Sequence, residues 1–227
     1  MKGITRQWKK RNQKKGEKGF TLIELLMAFM VMTILAAILS VMALGAFKAY
    51  AIAKEEMELL RNVTLTFELV RRDLVGSIYK DPATGSPISG VNFLGTDQTD
   101  AQGKADDKLQ FFSLLSPDST ARGDLTSINY KREEIGGVKR LSRASLGTGS
   151  SGLPPLVLDG VEPFEPLLFY VTAFDVQYLS SPTGSYQASY NASSAGQLPR
   201  AVRIRISVQV PGGKEKTFTC TVMLAMG

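Results

Sequence analysis

From Leu25 to Phe47 the chain runs for 23 residues without a charge, and a single carboxylate, Glu24, stands at the mouth of that run. At about 1.5 Å per residue a helix of this length spans roughly 35 Å, enough to cross a hydrocarbon core about 30 Å thick. The first constraint on the fold is therefore a helix retained in a membrane. A segment built only for lipid would avoid Glu24, because an acidic residue at the centre of an inserted helix costs on the order of 2.5–3.5 kcal/mol. The exception calls for a function.

Residues 1–19 hold eight Lys or Arg and one acid, Glu17, for a net charge of +7. Asymmetry of this sign keeps the leader cytoplasmic and sends everything after Phe47 across the membrane, so the body is expected to be periplasmic or extracellular. Taking the leader's +7 from the whole-chain +6 leaves −1 for residues 20–227. The basic pI belongs to the leader, and no nucleic-acid partner is expected from it. An ordinary secretory signal is the competing reading, since Ala49-Tyr50-Ala51 and Ala51-Ile52-Ala53 both have cleavage-type spacing of small residues. Such signals carry an apolar region of about 7–15 residues with no acid at its mouth. This run is too long for one.

Gly19-Phe20-Thr21-Leu22-Ile23-Glu24, set between the basic leader and the uncharged run, resembles the type IV prepilin signal. The resemblance implies that prepilin peptidase, a membrane aspartic peptidase, cuts after Gly19. It further implies that Phe20 becomes the mature N-terminus and is N-methylated, and that Glu24 guides packing into a filament. The expected architecture is α+β and pilin-like, a long N-terminal helix, transmembrane in its first half, packed against an antiparallel β-sheet head. The chain then divides into a cleaved leader (1–19), a membrane and assembly half of the helix (20–47), an amphipathic half (48–80) and a β-rich head (81–227). Many pilins place a proline midway through the buried half; Val41 lies near that place here.

Composition removes several enzyme classes. There is no histidine, hence no His general base, no Ser-His-Asp or Cys-His pair and no His-ligated zinc. One cysteine, Cys220, allows neither an intramolecular disulfide nor a multi-thiolate site. No catalytic, cofactor or metal site is assigned, and stability has to come from a packed core.

Past the membrane run, Leu59, Val63, Phe67, Val70, Leu74 and Ile78 recur at spacings of 4, 4, 3, 4 and 4, one face of a helix that should pack on a sheet. No proline falls between Phe20 and Lys80, so one helix is expected over that span, stopped by Asp81-Pro82. Residues 91–105 read as a surface loop; Asp97 and Asp100 in it, with Asp106 and Asp107 directly after it, could suggest a calcium loop but lack EF-hand spacing, favouring a solvated loop. Strands are expected at Leu109–Leu115, Leu125–Arg132, Val138–Arg143, Leu156–Leu158 and Phe169–Tyr178. Val202 to Val210 alternates apolar and polar residues, turns at Pro211-Gly212-Gly213 and alternates again through Phe218, Cys220, Val222 and Leu224, a hairpin with Cys220 facing inward as a small core residue. Residues 180–198 read as a long loop, with Tyr178, Tyr186 and Tyr190 packing it down. Asn191-Ala192-Ser193 is taken as an accidental sequon, since a prepilin signal implies a prokaryotic cell.

Val70-Arg71-Arg72-Asp73-Leu74, Leu109-Gln110-Phe111-Phe112-Ser113 and Leu198-Pro199-Arg200-Ala201-Val202-Arg203 are similar to patches of the J-type minor pseudopilins of type II secretion. That resemblance implies a place at the tip of a pseudopilus, with I- and K-type minor pseudopilins and the major pseudopilin as partners, in a single-pass inner-membrane protein that supports export across the outer membrane. It departs from the family in lacking tryptophans before the Leu-Pro-Arg patch, the only tryptophan being Trp8 of the leader. A minor type IV pilin serving pilus assembly, adhesion or DNA uptake is the alternative. A membrane-tethered enzyme is a weaker rival, since no nucleophile motif is present.

Overall fold

The computed structural model describes residues 19–80, 85–115, 125–147, 164–181, 184–210 and 213–224. The chain forms two compact units, Met1–Ala51 and Ile52–Gly227. The strand expected at Leu156–Leu158, the stop at Asp81-Pro82, and Pro211-Gly212 of the hairpin turn lie outside the described residues.

Helix α1 spans Leu22–Val75. Every described side chain of the first unit is exposed, including Leu22, Met30, Leu39 and Phe47 at 51% or more. Apolar exposure on this scale suits a lipid environment, and α1 is long and apolar enough to cross a membrane.

In the second unit the chain continues through β1 (Phe93–Thr96), β2 (Lys108–Ser113), β3 (Thr126–Ile135), β4 (Val138–Gly147), β5 (Glu165–Phe169), β6 (Val171–Leu179), β7 (Tyr190–Asn191), α2 (Ala192–Ala195), β8 (Ala201–Gln209) and β9 (Glu215–Met223). These make an antiparallel six-stranded sheet in the order β5-β4-β3-β2-β1-β7 and a three-stranded sheet in the order β6-β8-β9. The amphipathic stripe behaves as its spacing requires: Val63, Val70 and Leu74 are buried, and Leu59 and Phe67 pack against the same cluster. That cluster joins α1 to Phe93, Phe111, Tyr130 and Leu141 of the larger sheet and Phe174, Ile204, Ile206 and Val222 of the smaller one. Phe93 stacks on Phe111 at 5.5 Å between ring centroids, and Phe111 on Tyr130 at 6.3 Å, so an aromatic ladder crosses β1, β2 and β3.

The helix ends at Val75 rather than near Lys80, because Gly76 passes against the end of β2, where a Cβ would meet Ser113 Oγ at 2.5 Å and the Leu115 amide nitrogen at 2.8 Å. The chain leaves the helix there to pair with β2, Ile78 N–H donating to the Phe112 carbonyl at 3.0 Å. The expected strand Phe169–Tyr178 is two strands in two sheets, parted by a bend at Tyr170, whose φ of 61° is the left-handed region. The 91–105 loop contains β1, with Phe93 fully buried, because Leu94 and Gly95 pair with both β2 and β7. The 180–198 loop contains β7 and the single-turn α2, capped by the Asn191 side chain accepting from Ser193 N–H at 2.9 Å. Tyr178 and Tyr190 pack in the core as expected, while Tyr186 lies under the Arg203 guanidinium at 3.7 Å. Cys220 is half-buried against the core, and burial pushes its thiol above the ordinary value.

Candidate assembly site and its anchorage

The start of α1 is a capping box. Thr21 Oγ1 accepts from Glu24 N–H at 3.3 Å, and Glu24 Oε2 accepts from Thr21 N–H at 3.0 Å and from Thr21 Oγ1–H at 3.1 Å. The helix therefore begins two residues after Phe20, leaving Gly19 and Phe20 outside it with Phe20 88% exposed. Glu24 sits in the first turn, where a carboxylate also complements the helix dipole. The sequence reading singled out Glu24 but missed Thr21, although Thr-x-x-Glu before an apolar run is a legible capping signature.

The far end of α1 is held by a buried polar cluster. Asp73 Oδ2 accepts from Tyr130 Oη–H at 2.5 Å and from Arg143 Nε–H at 2.8 Å, and all three residues are buried. Burial, followed by the Asp73 charge, pushes the Tyr130 hydroxyl well above its ordinary range, so it remains a donor. The Asp73 position falls on the buried face with Val63, Val70 and Leu74, a placement the periodicity contained but a reading of apolar residues alone passed over.

The acids of residues 97–107 are held by protein cations and amides. Arg132 donates from Nε to Asp106 at 3.0 Å, from Nη2 to Asp100 at 2.7 Å and from Nη1 to the Thr172 carbonyl at 2.6 Å. Asp100 also accepts from the Gln102 and Lys104 amides. The hydrogen bond from Arg132 holds the Asp100 carboxyl well below the usual carboxylate range. Asp107 is 2% exposed and accepts from the Val176 and Gln98 amides at 2.7 and 3.1 Å, yet burial pushes its carboxyl up to about 6. Only Asp97 of the four is exposed, so the other three acids are held by Arg132 and backbone amides rather than solvated as expected.

A membrane-length helix entered through a capped carboxylate, and carrying an antiparallel sheet head on its second half, defines a pilin-like subunit. The sequence model for type II secretion system protein J matches residues 42–218, and that for the prokaryotic N-terminal methylation motif matches residues 14–47. The chain belongs to the protein J family of type II secretion and is a minor pseudopilin, one of a family of structural subunits rather than enzymes. The methylation motif and the apolar helix fit a single-pass inner-membrane protein. Among solved structures, a type IV-like pilin from Thermus thermophilus is similar at 16% identity and a TM-score of 0.41, covering 74% of this chain and 97% of that one. No curated protein sequence matches significantly.

Proposed function

We propose that prepilin peptidase removes residues 1–19 at the cytoplasmic face, that Phe20 is then N-methylated, and that Glu24 sets the register of assembly by pairing with the Phe20 amine of a neighbouring subunit. Residues 20–47 stay among other such helices in the inner membrane, residues 48–75 carry the helix into the periplasm, and the chain beyond it forms the head. The partners are the I- and K-type minor pseudopilins, with which this subunit forms the tip that starts a pseudopilus and so supports protein export across the outer membrane.

The observation that carries this reading is the Thr21–Glu24 box placed directly after Gly19-Phe20. In the uncleaved chain the Glu24 carboxylate is satisfied by its own first turn, which lowers the cost of holding it near lipid. Cleavage creates a free α-amine one residue before Thr21. Burying either charge alone is costly, whereas pairing them between subunits offsets much of that cost, so correct register is favoured over misaligned contact. Small residues Ala36, Ala37, Ser40, Ala43, Gly45 and Ala46 permit close helix approach.

Mass spectrometry of the protein isolated from cells tests the first half: a mature chain beginning with methylated Phe20 is expected, and one beginning at Ile52 or Lys54 would sink the reading. Co-purification with the other minor pseudopilins tests the second. A Glu24→Ala chain that is cleaved normally and still recovers its partners at the wild-type level would remove the register role.

A further inference from the structure

The amphipathic part of α1 and the bend between β5 and β6 line a groove of about 690 Å³ on the head. Leu59, Leu167, Phe169 and Tyr170 supply its apolar lining, and Glu55 and Glu58 its charge. Phe169 and Tyr170 are 48% and 59% exposed, side by side. Among the described residues neither glutamate is ion-paired, and no Lys or Arg lines the groove. Tyr170 is also the one described non-glycine residue with positive φ, held there with its carbonyl accepting from Gln209 N–H at 3.0 Å. A backbone that suits glycine is occupied by a tyrosine whose ring is left in water, a combination that folding alone does not call for.

We propose that this groove is an assembly surface that receives the post-membrane stretch of a neighbouring pilin-like subunit's helix, an apolar segment bearing a lysine like Lys48 of this chain. The inference rests on the register reading of Glu24. An apolar trough with two carboxylates that are not ion-paired among the described residues is complementary to an apolar helix face with a cation, and Phe47-Lys48 of this chain is a segment of that kind.

A photo-reactive phenylalanine analogue at Phe169 of the full chain, in membranes of cells carrying the remaining secretion subunits, tests the proposal. Irradiation is expected to give adducts with another pilin-like subunit, mapped by mass spectrometry to the residues directly after its uncharged run. The Glu55→Lys/Glu58→Lys double variant should give at least tenfold less adduct, partly restored when the partner's lysine is changed to glutamate. Co-purification of partners with wild-type and Glu24→Ala chains reports the register reading separately. If wild type recovers its partners and Glu24→Ala does not, while the Phe169 probe captures only lipid, nothing, or a partner's head, the groove proposal is overturned and the register reading stands. If Glu24→Ala recovers its partners undiminished, the register reading fails, and the mapped adducts still decide whether the groove holds a neighbour's helix.

Discussion

Asp73 of α1 and Arg143 of β4 are ion-paired at 2.8 Å, with side chains only 0% and 5% exposed. The pair, with the Tyr130 hydroxyl as a second donor, joins the end of the helix to the adjacent strands β4 and β3 of the six-stranded sheet.

Asp73→Ala should destabilise the head by about 3–5 kcal/mol, because removing one partner of a buried pair leaves a desolvated cation behind. Tyr130→Phe, which loses one buried hydrogen bond, should cost about 1–3 kcal/mol. Urea unfolding of the full chain in detergent, followed by far-UV circular dichroism, measures both. Because the two residues share one carboxylate, the double variant should cost less than the two losses added together.

Gly95→Ala should be among the most damaging single changes in the head. A Cβ there would lie 2.0 Å from both Cζ and Oη of Tyr178, a ring that is fully buried between the sheets. Overpacking of this kind typically costs about 1–3 kcal/mol or more. Tyr178→Phe in the same chain should not rescue it, since Cζ remains in the way, whereas Tyr178→Val should recover part of the lost thermal midpoint.

Two carboxylates should impose opposite pH dependence. Asp107 has a folded value of about 6, against an unfolded carboxylate near 3.9. As pH rises from about 4 to about 6 the unfolded chain gives up this proton first, so the contribution of Asp107 to stability falls over that window. Asp100 runs the other way: Arg132 depresses its folded value, so its contribution is present above about 3.9 and is lost as pH falls. Urea midpoints at pH 4, 5, 6 and 7 should show Asp107→Asn gaining on wild type as pH rises. Arg132→Gln should be most harmful at neutral pH and least harmful at the acid end. Parallel pH profiles for wild type and either variant would contradict the assignment.

Glu24→Gln separates capping from register. Glutamine keeps the acceptor that a capping box needs, so helix content and membrane retention should be unchanged, while loss of the charge should sharply lower recovery of partner subunits. Thr21→Ala should do the reverse, costing about 1 kcal/mol at the helix start while leaving partner recovery near wild type. Equal behaviour of the two variants would mean that Glu24 acts through the cap alone.

Local patterns carried most of the architecture into the sequence. The uncharged run, the leader's charge, the stripe from Leu59 to Leu74 and the alternation of β8 and β9 each report a periodicity that a single element imposes on its own residues, so they could be read without knowing the rest of the chain. Thr21-Leu-Ile-Glu24 was legible in the same sense, since both halves of the cap lie within one turn. Tertiary contacts decided what depended on residues distant along the chain. Phe93–Thr96 became a strand only because β2 and β7 flank it, and the helix stopped at Val75 because β2 approaches Gly76 too closely for a side chain. Asp100 and Asp106 became arginine partners because β3 delivers Arg132 between them. Hydrogen-bond pairing across sheets and the exclusion of water from a shared core act between segments rather than within them, so no local spacing in the chain encodes them.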